Sequence, residues 1–176
     1  MKLINSLLKT SFDFENDIKD SRIKKFIFIF TELGSSFGAG VILIGIAIIS
    51  GYRALFAFVP IYLTQLLIAE GIKFLFKIPR PKTNFKNNLW GMKLSSGTFP
   101  SGHTSNIFTL ATLMTIYYKY NLVETMVVFG VAGLVAITRI FLGKHYLADV
   151  IGGAFLGILI SIIGSYTLIM LLPLII

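Results

Sequence analysis

Five stretches of the chain are apolar almost without interruption, and polar or charged clusters close each of them. They cover residues 34–50, 54–76, 104–118, 122–141 and 148–175. A helix needs about 20 mostly apolar residues to cross the roughly 30 Å of hydrocarbon in a bilayer. Lipid offers no partners to backbone N–H and C=O groups, so stretches of this kind satisfy themselves as helices. The pattern predicts an all-α fold, an integral-membrane helical bundle with about five transmembrane helices. The first stretch is short unless 26–30 extends it, and the third is short and polar at its start.

Residues 1–25 follow a different pattern. Lys2, Lys9, Asp13, Glu15, Asp17, Lys19, Asp20, Arg22, Lys24 and Lys25 are interspersed with Leu3, Ile4, Leu7, Leu8, Phe12 and Phe14. Charges of both signs, with no small-residue cleavage site after a short apolar core, do not make a secretory leader. An N-terminal amphipathic helix lying in the membrane interface is expected instead. Within the spans, Gly34 and Gly38, and again Gly153 and Gly157, have the spacing that lets helix backbones approach closely.

Composition sharpens this picture. Of 176 residues, 55% are hydrophobic and only 14% charged, and the mean hydropathy is +0.82; a soluble domain does not have this balance. Without cysteine neither a disulfide framework nor a thiolate metal site is available.

Counting spans puts the connections 77–101 and 142–147 on one side of the membrane, with the turns 51–53 and 119–121 on the other. Both histidines, His103 and His145, lie at polar span ends on the first side. Lys73 and Arg80 lie near the first, Arg139 and Asp149 near the second. Charges at span ends that face a bundle interior are expensive and often functional. Long basic side chains also snorkel to the interface, which accounts for Lys77, Lys82, Lys86, Lys93 and Lys144. It does not account for the grouping of His, Arg and Asp.

Three segments read together are more specific: Lys73 with Arg80-Pro81, then Pro100-Ser101-Gly102-His103, then Thr138-Arg139 with His145 and Asp149. They resemble the signature K-x6-R-P, P-S-G-H and S-R-x5-H-x3-D of the type 2 phosphatidic acid phosphatase (PAP2) family, which includes bacterial lipid phosphatases and is related to vanadium haloperoxidases. The one departure is Thr138 where the family usually has Ser. It keeps a hydroxyl but adds a methyl that restricts its rotamer. The resemblance implies a single membrane domain, with 1–33 as an interfacial segment and 34–176 as the transmembrane catalytic core.

These residue types suit phosphoryl transfer, which needs positive charge around the equatorial oxygens, an in-line nucleophile and a proton for the leaving oxygen. Lys73, Arg80 and Arg139 are the expected phosphate clamp. Pro79 and Pro81 end the regular helix, so Arg80 has to fold back over the site. Ser101 and Gly102 precede a predicted helix, where backbone N–H groups can point at an anion. His145 and Asp149, four residues apart, share a helix face, and a carboxylate on one ring nitrogen leaves the other as nucleophile. The resemblance makes His145 the phosphohistidine and His103 the group that protonates the departing oxygen and later activates water. Glu70, one turn before Lys73, is read as structural.

With these roles filled, no cluster with metal-ligand spacing remains, so no cofactor and no metal are expected. The expected partners are a lipid phosphate substrate and membrane lipids, with no nucleic acid. The expected reaction is hydrolysis of a lipid phosphate monoester of the phosphatidylglycerophosphate or phosphatidic acid type. The 1-phosphate of lipid A is the near alternative. Undecaprenyl pyrophosphate fits less well, since phosphatases acting on it often carry Asp where Gly102 stands. A non-catalytic membrane protein that only binds lipid phosphate is the alternative of a different class. Of the sixteen Lys and Arg, only Arg53 and Lys119 fall on the side opposite the histidines. The positive-inside rule would place that histidine side in the cytoplasm. The resemblance implies instead a bacterial inner membrane with a periplasmic active site.

Overall fold

The computed structural model describes residues 21–81 and 97–175, and no strand occurs among them. Helix α1 (Ser21–Thr31) runs through a 3-10 turn (Glu32–Gly34) into α2 (Ser36–Ser50), followed by α3 (Arg53–Phe76), α4 (Gly102–Tyr118), α5 (Leu122–Phe141) and α6 (Leu147–Ile175). Local chemistry sets the boundaries. Ser35 caps α2 by accepting from the Gly38 N–H at 3.0 Å, and Ser101 caps α4 by accepting from the Thr104 N–H. Asn121 and Glu124 form a reciprocal capping box at the start of α5. Such caps satisfy N–H groups that have no intrahelical partner. At the other ends, Lys77 and Lys119 turn left-handed and close α3 and α4.

α4 is the axis of the bundle, packed against α3, α5 and α6. One core joins Ala39 and Ile46 of α2, Phe58 and Ile61 of α3 and Leu110 and Leu113 of α4; a second joins Ile107 and Ala111 to Ala132 and Val135 of α5. The outward faces remain apolar, with Ile49, Leu67 and Met126 exposed. These faces suit lipid rather than water.

The contact between α4 and α6 is the tightest, and its glycines explain why. A Cβ at position 153 would sit 2.7 Å from the Ser101 carbonyl oxygen, and one at position 157 would sit 2.5 Å from that of Ser105. Gly34 does the same for the 3-10 turn, which lies directly against His103 of α4. The close-approach role read from Gly153 and Gly157 is thus seen here; of the other pair, Gly34 approaches α4 from the 3-10 turn, while Gly38 presses only on the turn that precedes its own helix.

The span count needs one correction. Among the described residues, three helices are long and apolar enough to cross a membrane: Arg53–Phe76, Leu122–Phe141 and Leu147–Met170. Stretch 34–50 is not a whole span. Ser36–Ser50 pairs with Lys25–Gly34 across a bend of 66°, and only together do they have the length and hydropathy of a span, broken or re-entrant at that bend. The expected interfacial helix falls mostly outside the described residues, and its described end, α1, belongs to this pair. α4 has only 17 residues, a rise of about 25 Å. It also carries the buried polar residues Thr104, Ser105, Asn106, Thr109 and Thr112. Its neighbours absorb that polarity: Gln65 Nε2 donates to Ser105 Oγ at 2.8 Å, and Asn106 Nδ2 donates to the Gly34 carbonyl at 3.0 Å.

Two cross-links fix which ends lie together. Ser50 and Tyr118 hydrogen-bond through their hydroxyls, joining the ends of α2 and α4. At the opposite end, the Ser101 N–H donates to the Asp149 carbonyl at 2.9 Å, joining the starts of α4 and α6. The two connections carrying the sequence motifs therefore meet at one end of the bundle.

The glycine contact generates a direct test. Gly157→Val forces a side chain onto α4 backbone and should lower stability by about 1–3 kcal/mol, as overpacking does. A Cβ at Gly130 meets nothing within 4 Å, so Gly130→Ala should leave the unfolding midpoint in detergent unchanged or slightly raised.

Candidate active site

Asp149 lies in the first turn of α6, and its Oδ2 gathers the local donors. It accepts from the Tyr146 N–H at 2.7 Å and from the Thr98 hydroxyl at 2.7 Å. His145 Nδ1 is 3.0 Å from Thr98 Oγ1 and 3.5 Å from Asp149 Oδ2. All three side chains are buried. His145 precedes α6 in a short turn whose N–H groups at 144 and 145 both donate to the Arg139 carbonyl. The last turn of α5 and the nucleophile candidate are thus one rigid unit.

Four cations surround this pair. Arg139 is buried and donates through Nη1 to Thr31 Oγ1 at 3.1 Å. Lys73 is buried and pairs with Glu70, the structural partner expected for it. Its ammonium reaches across to α4, 3.2 Å from where a Cβ on Gly102 would lie. Arg80 follows the left-handed turn at Lys77 and returns toward the site, where its charge acts on Arg139, Lys144 and His145. His103, in the first turn of α4, feels Arg139, His145, Lys73 and Lys144. Every residue singled out from the sequence therefore converges on one end of the bundle. The Nε atoms of Arg80 and Arg139 are buried and have no acceptor among the described residues. A guanidinium edge of this kind is matched to a phosphate oxygen.

Four details differ from the sequence reading or were absent from it. The Ser101 N–H does not face an anion, because it is donated to the Asp149 carbonyl. The helix-end donors with no intrahelical partner are those of Gly102 and His103, the first two residues of α4. Lys144 does not snorkel: it is buried, with Arg139, Arg80 and Glu32 as its charged neighbours. Its place directly before His145 was the available signal. The Thr138 hydroxyl turns to its own helix, donating to the Val135 carbonyl at 2.6 Å, and lies 2.9 Å from Thr31 Oγ1. Thr98 and Thr31 carry no spacing signal, and only the fold brings them to His145 and Arg139.

A model of the PAP2 superfamily matches residues 54–171. The chain belongs to this superfamily. Among PAP2 relatives, it is 30% identical over 121 residues to a probable lipid phosphate phosphatase beta of Arabidopsis thaliana, covering 54% of this chain and 57% of that protein. It is 34% identical over 74 residues to phosphatidylglycerophosphatase B of Bacillus subtilis, covering 38% and 36%. The matched regions thus span less than two thirds of either relative. Over the whole fold it is similar to the crystal structure of Aquifex aeolicus LpxE, with a TM-score of 0.72, 25% identity and coverage of 93% of this chain and 95% of that one. A PAP2 bundle of these apolar helices is a membrane protein.

The protonation of His145 follows from its surroundings. Burial pushes its imidazole down to about 4; the nearby Asp149 carboxylate opposes this and the charge of Arg139 adds to it. His145 is therefore neutral near pH 7, the form in which a ring nitrogen can act as nucleophile. Burial likewise lowers the Lys144 ammonium, with Arg139 and Arg80 adding to the fall. In a His103→Gln variant, the single remaining histidine should titrate by NMR near pH 4 rather than at the ordinary 6.5. The unfolded chain takes up this proton at the higher pH. Stability from this group should thus decline as pH falls from the unfolded value and level off below about 4.

Proposed function

We propose that this PAP2 protein is a membrane lipid phosphatase that hydrolyses a lipid phosphate monoester through a phosphohistidine. The observation that carries the reading is the meeting of His103, on α4, and His145, in the turn before α6, within one set of buried cations that includes Arg139 and Lys73. In the first step His145 Nε2 attacks phosphorus, the bond from phosphorus to the lipid oxygen breaks, and His103 gives that oxygen a proton. In the second, His103 takes a proton from water, which attacks the phosphohistidine and releases phosphate and free His145. Asp149 holds His145 in the required tautomer. Lys73, Arg80, Arg139 and the N-terminus of α4 at Ser101 and Gly102 stabilise the charge on the equatorial oxygens. Ser101 contributes by capping that helix and anchoring it to Asp149, while the donors are the next two N–H groups. The positive charge comes from side chains, so the reaction is metal-independent and activity should survive chelation by EDTA.

For the substrate we favour a glycerophospholipid phosphate of the phosphatidylglycerophosphate or phosphatidic acid type. The activities named for the Arabidopsis and Bacillus relatives, a probable lipid phosphate phosphatase and a phosphatidylglycerophosphatase, support that class. A panel including lipid A phosphate and undecaprenyl pyrophosphate decides it. The catalytic domain takes in Thr31 through its bond to Arg139, so its boundary lies N-terminal of residue 34. We place the site end on the periplasmic face of a bacterial inner membrane, because Lys73, Arg80, Arg139 and Lys144 serve anion binding rather than topology. Cysteines at Lys77 and Lys119 in intact cells should be labelled from outside and protected, respectively; the reverse result would put the site in the cytoplasm.

Substitution separates the two histidines. His145→Ala should abolish both turnover and the acid-quenched, base-stable phosphoenzyme. His103→Ala should slow phosphoenzyme formation by about 10²–10⁴-fold with a lipid alkoxide leaving group, the usual worth of general-acid help. With an aryl phosphate, whose leaving group needs no proton, the loss should be far smaller. A phosphoenzyme that persists in His145→Ala and vanishes in His103→Ala would exchange the two roles.

A further inference from the structure

We propose that Thr98 is a positioning residue that carries the coupling between Asp149 and His145 and so sets the tautomer of the nucleophile. The proposal rests on the reading of His145 as nucleophile. The direct distance from His145 Nδ1 to Asp149 Oδ2 is 3.5 Å, beyond the usual range of about 2.7–3.2 Å for N–H···O hydrogen bonds. The path through Thr98 has two legs of ordinary length, 3.0 Å from Nδ1 to Oγ1 and 2.7 Å from Oγ1 to Oδ2.

Counting protons gives the path a direction. An ionised carboxylate only accepts, whereas a hydroxyl has one proton to donate and two lone pairs. The Thr98 proton therefore goes to Asp149, and Oγ1 has only acceptor capacity left for His145. Nδ1 must be the protonated nitrogen, which leaves Nε2 with the lone pair that attacks phosphorus. Asp149 acts here through an intervening hydroxyl instead of touching the imidazole at hydrogen-bond distance.

Thr98 is well placed for this. It is fully buried, which holds the hydroxyl in a water-poor setting where its bonds are strong. Its N–H donates to the Ile78 carbonyl at 2.9 Å, so its backbone is tied to the segment that delivers Arg80, two residues later. The same short stretch that runs into Pro100 and His103 thus links the Arg80 arm of the clamp to the nucleophile from α6.

The test uses the full chain in detergent with Thr98→Val, which keeps shape but removes the hydroxyl, and Thr98→Ser, which restores it. Thr98→Val should lower kcat by about 10–100-fold, the usual loss when a residue orienting a catalytic group is removed. KM and the unfolding midpoint should barely move, and Thr98→Ser should recover most of the loss. Asp149→Asn combined with Thr98→Val should be no slower than Asp149→Asn alone, because the two act along one path. In ¹⁵N spectra His145 Nε2 should be the unprotonated nitrogen in the native chain and in Thr98→Ser, and a tautomer mixture should appear in Thr98→Val. If Thr98→Val does not fold, Thr98→Ala and the tautomer of the native chain carry the test. Native turnover or an unchanged tautomer in Thr98→Val would overturn the proposal, as would a Thr98→Ser variant as slow as Thr98→Val. A phosphoenzyme that survives His145→Ala would instead refute the reading of the nucleophile, a result the Thr98 variants cannot produce.

Discussion

The bond from the Ser101 N–H to the Asp149 carbonyl ties the start of α4 to the first turn of α6 and puts His103 and His145 at the same end of the bundle. It forms only because the two helices approach at backbone distance. Gly153 and Gly157 permit that approach, since a side chain at either position would collide with the carbonyl oxygens of Ser101 or Ser105. In lipid the hydrophobic effect does not drive helices together, so close packing and interhelical hydrogen bonds have to. Ser161 adds one such bond, its hydroxyl lying 3.2 Å from the Thr109 carbonyl further down the same interface. Chemistry at the end of the bundle thus depends on small residues about one and two turns further along α6.

The electrostatics of that end run against stability. Lys73, Arg139 and Lys144 are buried close together with Arg80 at their edge, while Glu32, Glu70 and Asp149 are the acidic groups near them. Burying like charges carries a desolvation penalty of several kcal/mol per ion even after relaxation, and the Nε donors of Arg80 and Arg139 have no acceptor among the described residues. A phosphate dianion relieves both penalties at once. Cations held in this state need no rearrangement to meet the oxygens of a phosphoryl group, which is what electrostatic catalysis of phosphoryl transfer requires on the proposed mechanism.

Much of this was legible in the sequence, because the site is built from three short segments whose spacing survives without knowledge of the fold. Lys73 and Arg80, Ser101 to His103, and Arg139, His145 and Asp149 could each be named, and counting spans put them on one side. The parts that escaped are those whose role arises only from tertiary contact. Thr98 and Thr31 are ordinary hydroxyl residues in sequence and acquire meaning by lying against His145 and Arg139. Lys144 was assigned to the interface because long basic side chains commonly end there, yet the turn after α5 draws it inward. The span count drifted for a related reason. α4 is short and polar because neighbouring helices, not lipid, cover it, and hydropathy alone cannot tell the two environments apart.

The polarity of α4 also bears on how firmly the site is held. Thr104, Ser105, Asn106 and Thr109 would be costly against hydrocarbon, and Gln65, Gly34, Gly157 and Ser161 meet them from three other elements. Rotating or sliding α4 would break several of these contacts together and expose their groups to an apolar medium. The first turn of α4, with His103 and the free N–H groups, is therefore fixed relative to α6. Arg80, beyond the end of α3, is anchored more lightly: the backbone bond from Thr98 to Ile78 ties its segment to this frame, whereas Lys73 is held in α3 and steadied by Glu70 on the same helix. On the proposed mechanism the two histidines that make and break bonds sit on the rigid part, where a displacement of about 1 Å costs about 10²-fold in rate. Arg80, which on that mechanism only holds charge, sits where a small adjustment is tolerated, since charge interactions fall off gently with distance. The frame can then adjust to its phosphate ligand through Arg80 while the geometry of attack stays fixed.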